Sequence, residues 1–134
     1  MGILDFATDE VGDAVLMDDG TEVTLRITNV IVKPTADGSK NGITVFLEPT
    51  GDHEEAEDLI WWSELPTPER RAEDPKACRQ AERRLAQFYK CFQIEDDASE
   101  EEMAGLEGDV IVGHQDGNDE YGPSNRIKKF VLPK

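Results

Sequence analysis

The chain has 134 residues and a formal net charge of −16, because 30 acidic residues stand against 14 basic ones. This length fits a single domain. Its two cysteines fall in one predicted helix, too far apart to pair, which excludes a disulfide-stapled secreted fold. No apolar run approaches the roughly 18 residues of a membrane span, and no export or myristoylation signal is recognisable. We expect a soluble cytoplasmic protein without membrane association.

The acidic charge is segregated along the chain. It concentrates in three segments, residues 1–22, 48–69 and 94–109, while the segments between and after them are net basic. Such a distribution allows a basic cleft on an acidic protein. The alternative is an acidic surface that reflects adaptation to salt or serves solubility alone.

The first predicted elements are an arm and a strand. Residues 1–20 are acidic with scattered apolar residues and no sustained period, so we interpret them as an arm that precedes a domain at 21–134. The strand then alternates through Val23, Leu25 and Ile27, but Val30 and Val32 continue on the opposite parity. A bulge or bend near Asn29 would return both valines to the core side.

The second and third predicted strands carry exposed aromatic candidates. Ile43, Val45 and Leu47 share one parity of the second strand, which places Phe46 on the outer face if they face the core. Phe46 is then either open for base stacking or covered by a loop or the arm. The third strand, Leu59–Ser63, contains adjacent tryptophans that must point to opposite faces. We expect Trp61 inside and Trp62 outside.

A helix from about 74 to 92 follows a Pro-containing connector at Glu64–Glu73. Asp74-Pro75 is typical of an N-cap and first helical position. An apolar stripe predicts packing on the barrel, and the opposite side is basic. That basic side is a solvated surface, a phosphate contact or a partner for the acidic segments. Its members are Lys76, Arg79, Arg83, Gln87 and Lys90.

The remaining elements are a helical turn and two strands. Ser99 has Glu102 in capping-box position, which predicts a turn of helix in the acidic run. Strands at Asp109–His114 and Asn125–Leu132 flank a polar loop. In the last strand Arg126, Lys128 and Phe130 share one parity, opposite Ile127 and Val131.

The predicted order is β-β-β-α-β-β, and the simplest closed solution is an all-β, five-stranded OB-fold barrel. Such barrels bind oligonucleotides on strands two and three, between the loops that here span Pro34–Asn41 and Gln115–Ser124. Aromatic residues for stacking and basic residues for phosphates form the usual single-strand surface. The residues predicted to bind nucleic acid are Arg26, Lys33, Lys40, Phe46, Trp62, Tyr121, Arg126 and Lys128.

Three stretches also resemble a known family. They are the opening GILDFATDEV before DGTEVTLRITNV, the helix end RRLAQFYKCFQI, and the close GLEGDVIVGHQDGNDEYGPSNRIKKFVLP. Together they resemble phage-encoded OB-fold single-stranded DNA-binding proteins. The resemblance implies DNA binding without strong sequence preference during phage replication or recombination, in the host cytoplasm, without catalysis. It places contacts at Lys33, Lys40, Phe46, Tyr121 and Arg126.

The sequence also bears on two other function classes. An acidic protein-interaction module, such as a DNA mimic that inhibits a host nucleic-acid-binding protein, would use the negative charge directly. An enzyme is disfavoured because no nucleophile motif, Gly-rich phosphate loop or metal-ligand set is present, and His53 among acidic residues matches no ligand spacing. We expect no cofactor and no metal. Replication or recombination proteins are expected partners of the acidic segments, and a homodimer stays open.

Overall fold

The computed structural model describes residues 17–51, 56, 58–115 and 124–133. Most of the predicted arm and the tip of the last loop lie outside these residues. The elements in the described part, in chain order, are β1 (Glu22–Pro34), β2 (Asn41–Pro49), β3 (Leu59–Leu65), α1 (Pro68–Glu73), α2 (Pro75–Phe92), α3 (Glu100–Met103), β4 (Glu107–Gln115) and β5 (Ser124–Phe130).

The five strands form one antiparallel sheet in the order β3-β2-β1-β4-β5. The two outermost strands of this order, β3 and β5, lie beside each other. The sheet is therefore rolled into a nearly closed barrel, which leaves little unpaired strand edge. The predicted all-β barrel of five strands is confirmed at this level.

The predicted bulge in β1 is present. Ile27 pairs with Leu47 and Asn29 pairs with Phe46, so Thr28 is the extra residue. The Asn29 side-chain oxygen accepts a hydrogen bond from its neighbour's backbone N–H at 2.9 Å. Val30 consequently turns inward and is 6% exposed. The same expectation was wrong for Val32, which lies near the end of the strand and is 43% exposed.

A second bulge, in β5, was not predicted. Ile111 pairs with Lys129 and Val112 pairs with Ile127, which leaves Lys128 as the extra residue. Phe130 therefore returns to the inner side and is buried. The sequence grouping of Arg126, Lys128 and Phe130 on one face is wrong for this reason.

The core joins the inner side of the barrel to α2. Phe88 of α2 is fully buried, and the centroid of its ring lies 4.8 Å from that of Trp61. The ring of Phe130 meets that of Trp61 edge-on, with 5.4 Å between the centroids. Such tilted and edge-to-face ring contacts add to the free energy from apolar burial. The fully or nearly buried strand residues of this core are Val23, Leu25, Ile27, Ile43, Val45, Leu47, Leu59, Val110 and Val112.

Three helices lie between β3 and β4, where the sequence predicted one helix and one helical turn. The helix predicted over 74–92 is present as α2, and the Asp74 side chain caps it by accepting from the Ala77 N–H. The turn predicted at Ser99 is present as α3, with the Ser99 hydroxyl accepting from the Glu102 N–H. The connector predicted at 64–73 is wrong in part, because Thr67 caps the short helix α1.

A partly buried ion pair holds α1 against the end of β3. Arg70 Nε donates to Glu64 Oε2 at 2.8 Å, and a second guanidinium nitrogen donates to Glu73 at 3.1 Å. These hydrogen bonds, first of all the one to Glu64, raise the pKa of the Arg70 guanidinium above its usual range. None of the helices in the described residues has the length and apolarity needed to cross a bilayer.

Candidate nucleic-acid interface

Apolar side chains collect on the outer face of β1, β2 and β3. Ile31, Thr44 and Trp62 are in register across the three strands, and Phe46 and Ile60 form the next row. Ile31, Ile60 and Trp62 are 37%, 61% and 48% exposed. Contiguous exposed apolar surface on a soluble protein marks an interaction site more often than isolated apolar residues do. We call this surface the outer patch; its members are Ile31, Phe46, Ile60 and Trp62.

Strand alternation explains why these residues face outward. Ile43, Val45 and Leu47 of β2 are buried, so the intervening Thr44 and Phe46 must point the other way. The outer patch is therefore a consequence of the same period that builds the core.

The tryptophan pair divides as predicted. Trp61 is partly buried and packs against the core residues Phe88 and Phe130, and Trp62 is half exposed. The Trp62 ring lies across Gly42 on the neighbouring strand, so closely that a Cβ at residue 42 would overlap the indole. The absence of a side chain at Gly42 thus leaves room for the Trp62 ring on the sheet surface.

Phe46 lies between the two outcomes that the sequence left open. It is half buried, and it is not part of the hydrophobic core. Its backbone carbonyl accepts a hydrogen bond from the Thr28 hydroxyl at 3.1 Å, beside the β1 bulge. Phe46 therefore offers part of its ring next to the more exposed Ile60.

The loop between β1 and β2 is held by its own side chains. The Asp37 carboxylate accepts from the Thr35 hydroxyl at 2.8 Å and from the Ser39 backbone N–H at 3.0 Å. Hydrogen bonds from Ser39 and Thr35 lower the pKa of Asp37 to about 2. The exposed Lys33 and the half-buried Lys40 stand at the two ends of this ordered loop.

Arg26 lies on the same outer side but has partners. It is in register with Glu48 on β2 and Glu107 on β4, and its Nε lies 3.6 and 3.7 Å from their carboxylates. Its charge is thus balanced by two acids before any phosphate approaches. Sequence reasoning missed these pairs because they depend on the register of both neighbouring strands.

The remaining predicted residues lie on β5 or outside the described residues. Arg126 and Lys128 are exposed on β5, in register with or next to Gly113 of β4 rather than with β2. Lys128 Nζ lies 3.6 Å from Asp19. Tyr121 falls within 116–123, outside the described residues.

Two patch residues were missed at the level of sequence. Ile31 follows the bulge on the outward parity, and Ile60 shares its outward parity with Trp62. The second could have been found by applying to Ile60 the alternation that was applied to the tryptophans.

Among the described residues, no group of three or more His, Cys, Asp or Glu side chains is placed to hold a metal ion. His53 lies outside them. Comparison with models of known protein families found no match, and a search of curated proteins found none either. The resemblance to phage single-stranded DNA-binding proteins therefore stays a prediction that rests on the three sequence stretches.

Proposed function

We propose that this protein binds single-stranded DNA, without strong sequence preference, on the outer patch. The observation that carries the proposal is Trp62, which is 48% exposed on the same sheet face as the exposed Ile31 and Ile60. A base stacked on an exposed aromatic ring contributes roughly 1–3 kcal/mol, and stacking tolerates any base. The loop lysines, Lys33 and Lys40, supply cations for the adjacent phosphates.

The topology supports assigning the barrel to the OB type. The sheet order β3-β2-β1-β4-β5, the contact of β3 with β5, and α2 between β3 and β4 agree with that architecture. Barrels of this type bind oligonucleotides on the face of their second and third strands. The outer patch lies on that face.

The proposed role is to coat exposed strands in phage DNA replication or recombination. The role comes from the family resemblance, and coating requires neither a catalytic group nor a cofactor. The acidic segments would limit non-specific adhesion between copies and offer contacts to basic partner proteins.

Because few cations on this face are unpaired, stacking should contribute more than phosphate contacts to the binding free energy there. Arg26 is balanced by Glu48 and Glu107, so among the described residues of β1, β2 and their loop Lys33 and Lys40 supply the unpaired cations. Two phosphate contacts to a single strand change the slope of log K against log salt by about −1.4. Affinity for a short strand should therefore depend only mildly on salt.

The test is a titration of intrinsic tryptophan fluorescence with oligo-dT, repeated with duplex DNA and oligo-rU, at two salt concentrations. Saturable quenching by oligo-dT and weak binding of duplex are expected. Absence of binding to oligo-dT at low salt would overturn the proposal. Retention on a basic column together with failure to bind single-stranded DNA cellulose would instead favour the acidic protein-interaction module.

A further inference from the structure

The basic residues of the described chain divide into paired and unpaired groups. Arg26, Arg70, Arg71 and Lys128 each have a carboxylate oxygen within 3.7 Å. In contrast, none of the exposed Lys and Arg side chains of α2 forms an ion pair with another described residue. These unpaired cations are Lys76, Arg79, Arg83, Arg84 and Lys90.

Most of these cations line one side of the helix. At 3.6 residues per turn, four of them and Gln87 fall within an arc of about 80° and extend over about 21 Å of helix. The buried residues Phe88 and Ala81 lie on the opposite side, against the barrel. We call this surface the cationic stripe; its members are Lys76, Arg79, Arg83, Gln87 and Lys90.

The composition of the stripe fits a phosphate backbone better than a folded protein. Protein–protein interfaces favour aromatic residues and arginine at their centre and are depleted in lysine, whereas the stripe contains two lysines and no aromatic or apolar residue. Phosphate oxygens are contacted mainly by such side chains. Holding unpaired cations in a line on a chain of net charge −16 also makes the stripe a local target for a polyanion.

A groove along one flank of α2 differs from the stripe in its charge. It has a volume of about 700 Å³, and its apolar lining includes Leu65, Leu85 and Ile94. Lys90 of the stripe borders it, but so do Glu82, which is paired with Arg71, and Asp96. The groove therefore presents both charge signs, while the stripe presents one.

The helix that carries the stripe packs against β3, one of the three strands that form the outer patch. Trp61 of β3 packs on Phe88 of α2, and its neighbour Trp62 faces outward from the same strand. Resting on the proposed function, we infer that the cationic stripe binds the phosphates of the same single strand that stacks on the outer patch. A short oligonucleotide occupies the patch alone, and a longer one continues from β3 onto α2.

The experiment compares oligo-dT of about 6 and about 20 nucleotides, lengths near the two limits of an OB-fold site. The variant Lys76→Ala/Arg79→Ala/Arg83→Ala removes three exposed charges, and alanine preserves the helix. The control Lys76→Arg/Arg79→Lys/Arg83→Lys keeps three charges in place. Binding is measured by fluorescence anisotropy of labelled DNA from 50 to 200 mM salt.

For the longer strand, the alanine variant should flatten the slope of log K against log salt by about 2, at 0.7 per lost contact. Its affinity should then change about 16-fold less than that of the wild type over this fourfold salt range. The shorter strand should show no such change, and the control should follow the wild type with both lengths.

An unchanged slope for the longer strand, with wild-type binding intact, would overturn the inference while the proposed function stands. Equal weakening of both lengths would also overturn it, because a change in net charge alone acts on both. If poly-glutamate displaced the longer strand as effectively as unlabelled oligo-dT does, the inference would be overturned in favour of an acidic protein segment as the ligand of the stripe. Loss of binding to both lengths in the wild type would instead contradict the proposed function.

Discussion

At the scale of the residue, the two tryptophans show how one strand serves both stability and binding. Trp61 and Trp62 are adjacent, so the pleat of β3 sends them to opposite faces. The first contributes to an aromatic cluster with Phe88 and Phe130, and the second lies on the sheet surface over Gly42. Their substitutions should therefore separate binding from folding.

Replacing Trp62 by alanine should weaken oligo-dT binding by about 1–3 kcal/mol, because one stacking platform is lost. The free energy of unfolding should fall by only about 1–2 kcal/mol, since Trp62 is 48% exposed. Anisotropy titration and urea unfolding measure the two effects. The matched change Trp61→Ala should show the reverse: a large loss of stability with a cavity in the core. Unaltered affinity in Trp62→Ala would contradict the proposed site.

A second residue-scale prediction concerns Cys91, a free thiol packed against β4. It is 4% exposed, its sulfur donates to the Asp109 carbonyl at 3.1 Å, and Gly108 leaves room for it. Burial is the main reason that the pKa of Cys91 rises from about 9 to about 11. The folded protein thus holds the thiol proton more tightly than the unfolded chain does.

This shift has a definite sign for stability. Its contribution is fully present below pH 9 and is lost as the pH rises to 11, because the unfolded thiol ionises first. The urea midpoint should fall over that range, and the fall should be shallower in Cys91→Ala. The variant Cys78→Ala retains Cys91, so the pH dependence of its urea midpoint should match that of the wild type. Parallel pH profiles of wild type and Cys91→Ala would refute this explanation.

At the scale of the element, the bulges decide which side chains face the core. In β1 the extra residue Thr28 turns Val30 inward, and the strand then leaves Val32 exposed near its end. Without the bulge the parity would be reversed along this arm. The bulge also brings Ile31 outward into the outer patch, so it contributes to the site as well as to packing.

The two valines provide a matched test of the bulge. Val30→Thr places a hydroxyl in the core and should lower the free energy of unfolding by about 1–3 kcal/mol. Val32→Thr, the same chemical change at a 43% exposed position, should stay within about 0.5 kcal/mol. Chemical unfolding of both variants gives the comparison. Equal effects at the two positions would mean that the register of β1 is not the one described.

The predictability of the elements followed the strength of their local patterns. The β1 bulge was predictable because apolar runs on both of its sides define two phases. The β5 bulge was not, because the residue that it adds, Lys128, stands beside another lysine and leaves no apolar phase to read. Helix α1 has no buried residue and thus no apolar stripe, so only its Thr67 cap and Pro68 marked it.

The candidate site was predictable in part for a related reason. Trp62 and Phe46 were found from alternation within single strands, which is local information. The partners of Arg26 lie on two other strands, and the partner of Lys128 lies near the N-terminal side of β1. Contacts of that kind depend on tertiary register, which a single sequence does not contain.

At the scale of the whole molecule, the structure combines a strongly acidic chain with two surfaces of different character. The outer patch is apolar with two loop lysines, and the cationic stripe on α2 lacks ion-pair partners among the described residues. The net charge of −16 opposes the approach of any polyanion and also opposes the compact state through self-repulsion. These two consequences of one charge respond differently to salt.

Raising sodium chloride from about 0.05 to about 0.5 M should therefore stabilise the free protein while it weakens DNA binding. Salt shortens the Debye length from more than 10 Å toward a few ångströms, which screens repulsion among the excess carboxylates. We expect a gain in unfolding free energy on the order of 1 kcal/mol, the scale of a few surface charge interactions. Over the same range, the affinity for single strands falls, because the release of counterions on binding is less favourable at high salt.

Thermal unfolding and anisotropy titration in the same buffers measure both trends. Chloride is used because sulfate stabilises folded proteins by exclusion whatever their charge. A folded state that loses stability as chloride rises would show that the few ion pairs on the surface, such as those of Arg26, outweigh the repulsion of the unpaired acids.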